Sequence, residues 1–305
     1  MKKIITFLTA AVLAALPLSA VQTSPEPAAK QETKEFKLSG FHGLDVSWIY
    51  QVELTRSARY SVRVEAPDFA MPYLKVKVSD GVLELETEDL PIDIRRRLEN
   101  NRHQVRVFVS MPELTSLEMS GATKLQASGE FSSRKDFELE LSGAAQLQGL
   151  SIQAREAEIQ ASGAAKLDLK GRFDAVEVNL SGAVGAIADI DAKDFELKVG
   201  GAAKLALKGK VGSMESTLSG AANVVHEGSV SQLLLTGSGA VKIDTSSAPA
   251  DIADIRLSGA AKAIIAVQQT LSVHLSGASS CHYRPGKDLR ITEQSVARGS
   301  SLVSL

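Results

Sequence analysis

The chain has 305 residues, 44% hydrophobic, 23% charged and only 5% aromatic, a composition too apolar for a disordered protein. Its formal charge of −2 excludes a globally basic surface and argues against nucleic acid as a partner. The single cysteine, Cys281, excludes an intrachain disulfide and zinc sites built from several thiolates.

Residues 1–20 read as a secretory signal peptide. Lys2 and Lys3 give a positive start, Ile4 to Leu16 an apolar run, and Leu18-Ser19-Ala20 a small residue at the cleavage point. The run stops at Pro17, short of the roughly 20 apolar residues of a membrane span. No cysteine follows it to carry a lipid. No integral membrane segment is expected after cleavage, and losing the two lysines takes the formal charge from −2 to −4. Residues 21–33, with Pro25 and Pro27, read as a flexible leader.

Residues 34–117 alternate or cluster as strands at Asp45 to Leu54, Ser61 to Val64, Leu74 to Val78, Val82 to Glu86 and Val105 to Val109. Asp80-Gly81 is a hairpin signal between two of them. Pro91 to Gln104, with Arg95-Arg96-Arg97 and Arg102, reads as a charged loop or short helix. The segment is expected to form irregular first coils that cap a repeat array, whose end strand must be covered.

The repeats follow. Ser-Gly-Ala starts at Ser120, Ser142, Ser162, Ser181, Ser219, Ser238, Ser258 and Ser276, and Gly-Gly-Ala starts at Gly200. Successive spacings are 22, 20, 19, 19, 19, 19, 20 and 18. Before each tripeptide, apolar residues alternate with a mostly polar one, as in Leu139-Glu140-Leu141 and Leu197-Lys198-Val199. That is a strand with one buried face. A second strand starts behind the tripeptide, with Leu125, Leu147, Leu167, Ala186, Leu205, Val224, Ile243, Ala263 and Cys281 five residues beyond the first position.

Two strands and two corners in about 19 residues predict an all-β parallel β-solenoid of about nine regular coils over residues 118–295, followed by a tail at 296–305. Glycine supplies the corner, the tripeptide alanine is expected to pack beneath it, and stacked serines can hydrogen-bond along the column.

The sequence at this point resembles an exported bacterial family of unknown function, the auto-transporter adhesin, head GIN domain. The likeness rests on the repeated Leu-Ser-Gly-Ala-Ala-Lys-Leu motif, present at Ala161 to Leu167 with alanine in first place, on Phe41-His42-Gly43-Leu44-Asp45-Val46, and on Met111-Pro112-Glu113-Leu114. It covers roughly residues 34 to 295. The resemblance implies a right-handed parallel β-helix and export, to the periplasm, cell surface or medium of a Gram-negative bacterium.

Catalytic and phosphate-binding motifs are missing from the sequence, and no cofactor is expected. His42, His103, His226, His274 and His282 form no ligand pattern, and no metal site is expected. Asp189, Asp191 and Asp194 are read as a solvated loop, and Glu84, Glu86 and Glu88 as the wet face of a strand. Cys281, in an apolar column, is read as inert core.

One column points toward function. Four residues beyond the start of each tripeptide stand Lys124, Gln146, Lys166, Gly185, Lys204, Asn223, Lys242, Lys262 and Ser280. Its five lysines either keep the surface soluble or face an extended polyanion such as an acidic polysaccharide or lipopolysaccharide. The expected protein is a non-enzymatic adhesion, scaffold or binding module. The competing readings are a polysaccharide lyase or hydrolase on the same fold and an envelope protein whose partner is another protein.

Overall fold

The computed structural model describes residues 29–99 and 103–305. The signal-peptide reading falls outside the described residues, as does Arg102.

The N-terminal part is built from β1 (Gln31–Phe36), β2 (Gly43–Val46), β3 (Gln51–Arg56), β4 (Ser61–Pro67), β5 (Leu74–Ser79) and β6 (Val82–Thr87). Helix α1 (Ile92–Glu99) and β7 (Arg106–Met111) complete it. The strand expected over Asp45 to Leu54 is broken, because residues 47–50 turn a corner with Trp48 at φ 71°. This is the first copy of the repeat corner, with Ser47-Trp48 where later copies have Ser-Gly. Trp48 holds a left-handed conformation that β-carbon sterics normally reserve for glycine, so the tripeptide pattern did not reveal it.

Chain order and stacking order differ here. β2 pairs in parallel with both β6 and β8 (Ser116–Met119), and β3 with both β7 and β9 (Lys124–Ser128). The β2/β3 coil is therefore sandwiched between the β6/β7 coil and the β8/β9 coil, although 59 residues separate Arg56 from Ser116 in sequence. Beyond it, β5 closes on β6 as an antiparallel hairpin whose turn is Asp80-Gly81 at φ 49° and 80°. β4 lies antiparallel on β7, and β1 antiparallel on β4. The pairing thus switches from parallel to antiparallel in this part of the chain. β1 opens at Gln31, three residues inside the segment expected to be a leader.

The regular coils run through β10 (Glu130–Ser132), β11 (Phe137–Leu141), β12 (Gln146–Gln153) and β13 (Glu156–Ala161). They continue as β14 (Lys166–Leu180), β15 (Gly185–Val199), β16 (Lys204–Leu218), β17 (Asn223–Gly237), β18 (Lys242–Leu257) and β19 (Lys262–Leu275). From β14 onward one strand follows each coil from one Ser-Gly-Ala corner to the next. The structure is a parallel β-solenoid of about 10 turns. β20 (Ser280–Pro285), β21 (Arg290–Val296) and β22 (Ser301–Ser304) extend it. Residues 301–304, expected as tail, pair in parallel with β20.

The corner explains the tripeptide. Gly182, Gly201 and Gly220 have φ of 79°, 76° and 76°, and a β-carbon on Gly201 would sit 2.7 Å from the Gly182 carbonyl oxygen. That close approach lets the next amide bond the coil below: Ala202 N–H donates to Gly182 O at 2.8 Å, and Ala221 N–H to Gly201 O at 2.8 Å. The serine hydroxyls reach down likewise, Ser219 Oγ donating to Val199 O at 3.4 Å. The tripeptide alanine, expected beneath the corner, is instead exposed; the following residue is buried, as at Ala145, Ala165, Ala203 and Ala261.

Inside, residues of equal phase stack. Val178, Leu197 and Ser216 are register neighbours, and Leu197 is 0% exposed. Cys281 pairs in register with Ala263 and Leu302, is fully buried, and has its thiol pushed up to about 12 by burial. A thiol held protonated and out of reach should not react with iodoacetamide in the native protein and should label fully in denaturant, read by mass spectrometry. Rapid native labelling would show that the last coils open.

Candidate functional site: two charge ladders flanking the corner

The five lysines of the predicted column share one register. Lys124 pairs with Gln146, Gln146 with Lys166, Lys166 with Gly185, Gly185 with Lys204, Lys204 with Asn223, Asn223 with Lys242, and Lys242 with Lys262. At about 4.8 Å per coil the column is about 34 Å long. All five side chains are exposed. Among the described residues none of the five is in an ion pair, whereas Lys170, Lys193, Lys198 and Lys208 are each bonded to a carboxylate. The column is thus a register-aligned line of positive charge without carboxylate partners; off the column, Lys135 and Lys210 are also exposed.

Across the corner lies a ladder that the sequence reading missed. Glu138, Glu158, Glu177, Glu196 and Glu215 stand in one register and, with Asp136, Glu156 and Asp194, line a shallow groove of about 670 Å³. The signal was present, since each of the five lies four residues before the start of a tripeptide. Attention to the residue between the apolar pair concealed it. Carboxylates about 4.8 Å apart repel, and Lys198, one pleat along, relieves the ladder by bonding Glu177 at 2.9 Å and Glu196 at 2.7 Å. Hydrogen bonds from Asn179 and then Lys198 hold the Glu177 carboxyl below its ordinary range.

The acidic face continues to Asp45, in register with Glu118. Burial first, then the charges of Glu118, Glu86 and Glu84, push its carboxyl up to about 6. The folded state therefore binds this proton more tightly than the unfolded chain, whose group titrates near 3.8. The stabilisation is complete below the unfolded value and is lost as pH rises through about 6. Asp45→Asn is expected to raise stability at pH 7 by about 1 kcal/mol, discounted for solvent screening, and to change little at pH 3.5. Thermal melts at the two pH values check this; an equal shift at both would show that ionisation is not the cause.

Asp189, Asp191 and Asp194 lie on strand β15, not in a loop, and do not converge. Asp189 pairs with Lys170 at 3.6 Å and Asp191 accepts the Lys210 amide at 2.8 Å. Glu84 is bonded to Lys77 at 2.7 Å. Among the described residues no three His, Cys, Asp or Glu side chains are arranged to hold a metal ion, and no helix is long and apolar enough to cross a membrane.

A solenoid of stacked short coils, with a glycine corner and a charge ladder on each side of it, defines a class of repeat protein whose flat faces present evenly spaced side chains. Residues 40–189 and 181–285 match the family described as "Putative auto-transporter adhesin, head GIN domain", and the chain belongs to that family. Among solved structures it is similar to a putative adhesin of Parabacteroides distasonis, at 14% identity and a TM-score of 0.55, over 91% of this chain and 98% of that one. It is also similar to a putative adhesin of Parabacteroides merdae, at 11% identity and a TM-score of 0.48, over 90% and 96%. A third, from Bacteroides fragilis, has 12% identity and a TM-score of 0.43, over 92% and 99%. No protein with a curated description matches.

Proposed function

We propose that the protein is an exported, non-enzymatic, adhesin-like binding module whose lysine face engages an extended polyanion, an acidic polysaccharide or lipopolysaccharide. The family's adhesin description and the adhesin label on its solved relatives support the adhesin-like part. One observation carries the ligand class: five register-aligned lysines are exposed and unpaired, while Lys170, Lys198 and Lys208 nearby are each bonded to a carboxylate. A stripe about 34 Å long suits a chain-like ligand with repeated negative charge, felt strongly only within about 8 Å at physiological ionic strength.

The test compares the wild type with a Lys166→Glu, Lys204→Glu, Lys242→Glu variant against acidic glycans and lipopolysaccharide at two salt concentrations. The wild type should bind, binding should weaken with salt, and the variant should lose at least tenfold in affinity with an unchanged melting curve. Equal binding by both proteins, or none by the wild type, would reduce the column to a solubility device.

A further inference from the structure

The lysine face is not uniformly polar. One pleat along from the lysines, the outward column runs Asp168, Ile187, Ala206, Val225 and Asp244. Ile187 is 61% exposed and Val225 37%, on a face where neighbouring coils place aspartate. Next to Ile187 the lysine column itself is interrupted by Gly185, where an added β-carbon would meet nothing within 4 Å. The result is a notch between Lys166 and Lys204 opening onto an apolar floor, together a groove of about 550 Å³. Its far rim is electrically closed: Lys170 is paired with Asp189 at 3.6 Å and Lys208 with Glu227 at 3.1 Å. Asp168 and Asp244 end the apolar stripe, four coil steps apart, or about 19 Å.

The groove thus has three different borders: uncompensated cations on one side, neutralised pairs on the other, and aspartates at both ends. Exposed aliphatic side chains on a strand face gain by being covered, at roughly 25 cal/mol per Å² of apolar surface. A hydroxylated sugar chain covers them poorly, because its own polar groups would lose water without finding partners. An aliphatic chain has no such cost.

We propose that this groove binds a phosphate-headed amphiphile, its phosphate on Lys166 and Lys204 across the Gly185 notch and its alkyl chain along Ile187, Ala206 and Val225. The inference rests on the polyanion reading of the lysine face and narrows it, since the preferred anion there carries an aliphatic part.

Two variants separate the narrower claim from the broader one. Ile187→Asn with Val225→Asn removes the apolar floor without changing charge, and both positions are surface positions. Gly185→Lys joins Lys166 and Lys204 into an unbroken run of three lysines and fills the notch in open space. Binding of dodecyl phosphate below its micellar concentration, of butyl phosphate, and of dextran sulfate is measured by calorimetry on the full chain. The wild type is expected to bind dodecyl phosphate at least tenfold more tightly than butyl phosphate. The double asparagine variant should lose that preference and keep its affinity for dextran sulfate. Gly185→Lys should weaken dodecyl phosphate binding and strengthen that of dextran sulfate. Equal affinity for the two alkyl phosphates, or no effect of the asparagines, overturns the amphiphile and leaves the polyanion reading standing. Dodecyl phosphate binding without dextran sulfate binding overturns the polyanion reading instead. Sedimentation showing that the wild type self-associates through Ile187 and Val225 would assign the floor to a second copy of the chain and overturn the proposal.

Discussion

Leu197→Asp is expected to unfold the protein or to lower its stability by about 4 kcal/mol or more, the cost of an unpaired carboxylate in an apolar layer. Leu197 is 0% exposed, its register neighbours are Val178 and Ser216, and among the described residues no lysine or arginine is buried. The comparison that gives the result meaning is the next residue. Lys198 points outward and bridges Glu177 and Glu196, so Lys198→Gln removes a surface contact and should barely move the melting curve. Lys198→Asp is a poorer control than the bare alternation of the strand suggests, because it would set a further carboxylate beside the glutamate ladder. Chemical denaturation of the three proteins checks the contrast. Equal losses for Leu197→Asp and Lys198→Gln, or a larger loss for the latter, would show that the assignment of inward and outward faces is wrong.

The second large effect is expected at the corner, where two adjacent glycines behave oppositely. Gly201→Ala should cost roughly 3 kcal/mol, from a left-handed φ of 76° and a β-carbon forced to 2.7 Å from Gly182 O and 2.9 Å from Gly182 N. These are backbone atoms of the coil below and cannot move without breaking the ladder bond from Ala202 to Gly182. Gly200→Ser, by contrast, restores the serine that eight other copies carry. Its added β-carbon meets only Ser219 Oγ, at 3.9 Å, and stability should hold or rise slightly. Melting both variants decides the matter. A tolerated Gly201→Ala would show that the corner column is not the tight stack described.

The features that repeat are legible in the amino-acid sequence. A spacing near 19 residues, period-two alternation and a glycine at each corner fix which side chains face inward, because stacking a strand on its own copy leaves one register that buries the apolar set. The lysine column and the burial of Cys281 follow from the same arithmetic, and the family resemblance rests on the same motif. The glutamate ladder was equally periodic and needed only the column four residues before each corner.

Features that do not repeat depend on how the coils pack together. The β2/β3 coil carries its corner on Trp48 instead of glycine, and stacks between β6/β7 and β8/β9 through contacts that local pattern cannot encode. The ion pairs that join residues one coil apart also belong to the folded state, as where Lys198 meets Glu177 across 21 positions. Those pairs set Lys170, Lys198 and Lys208 apart from the five lysines of the column. The Gly185 notch and the exposed Ile187 and Val225 emerge the same way: each is an ordinary residue in its own strand, and a groove forms only when the coils bring them side by side.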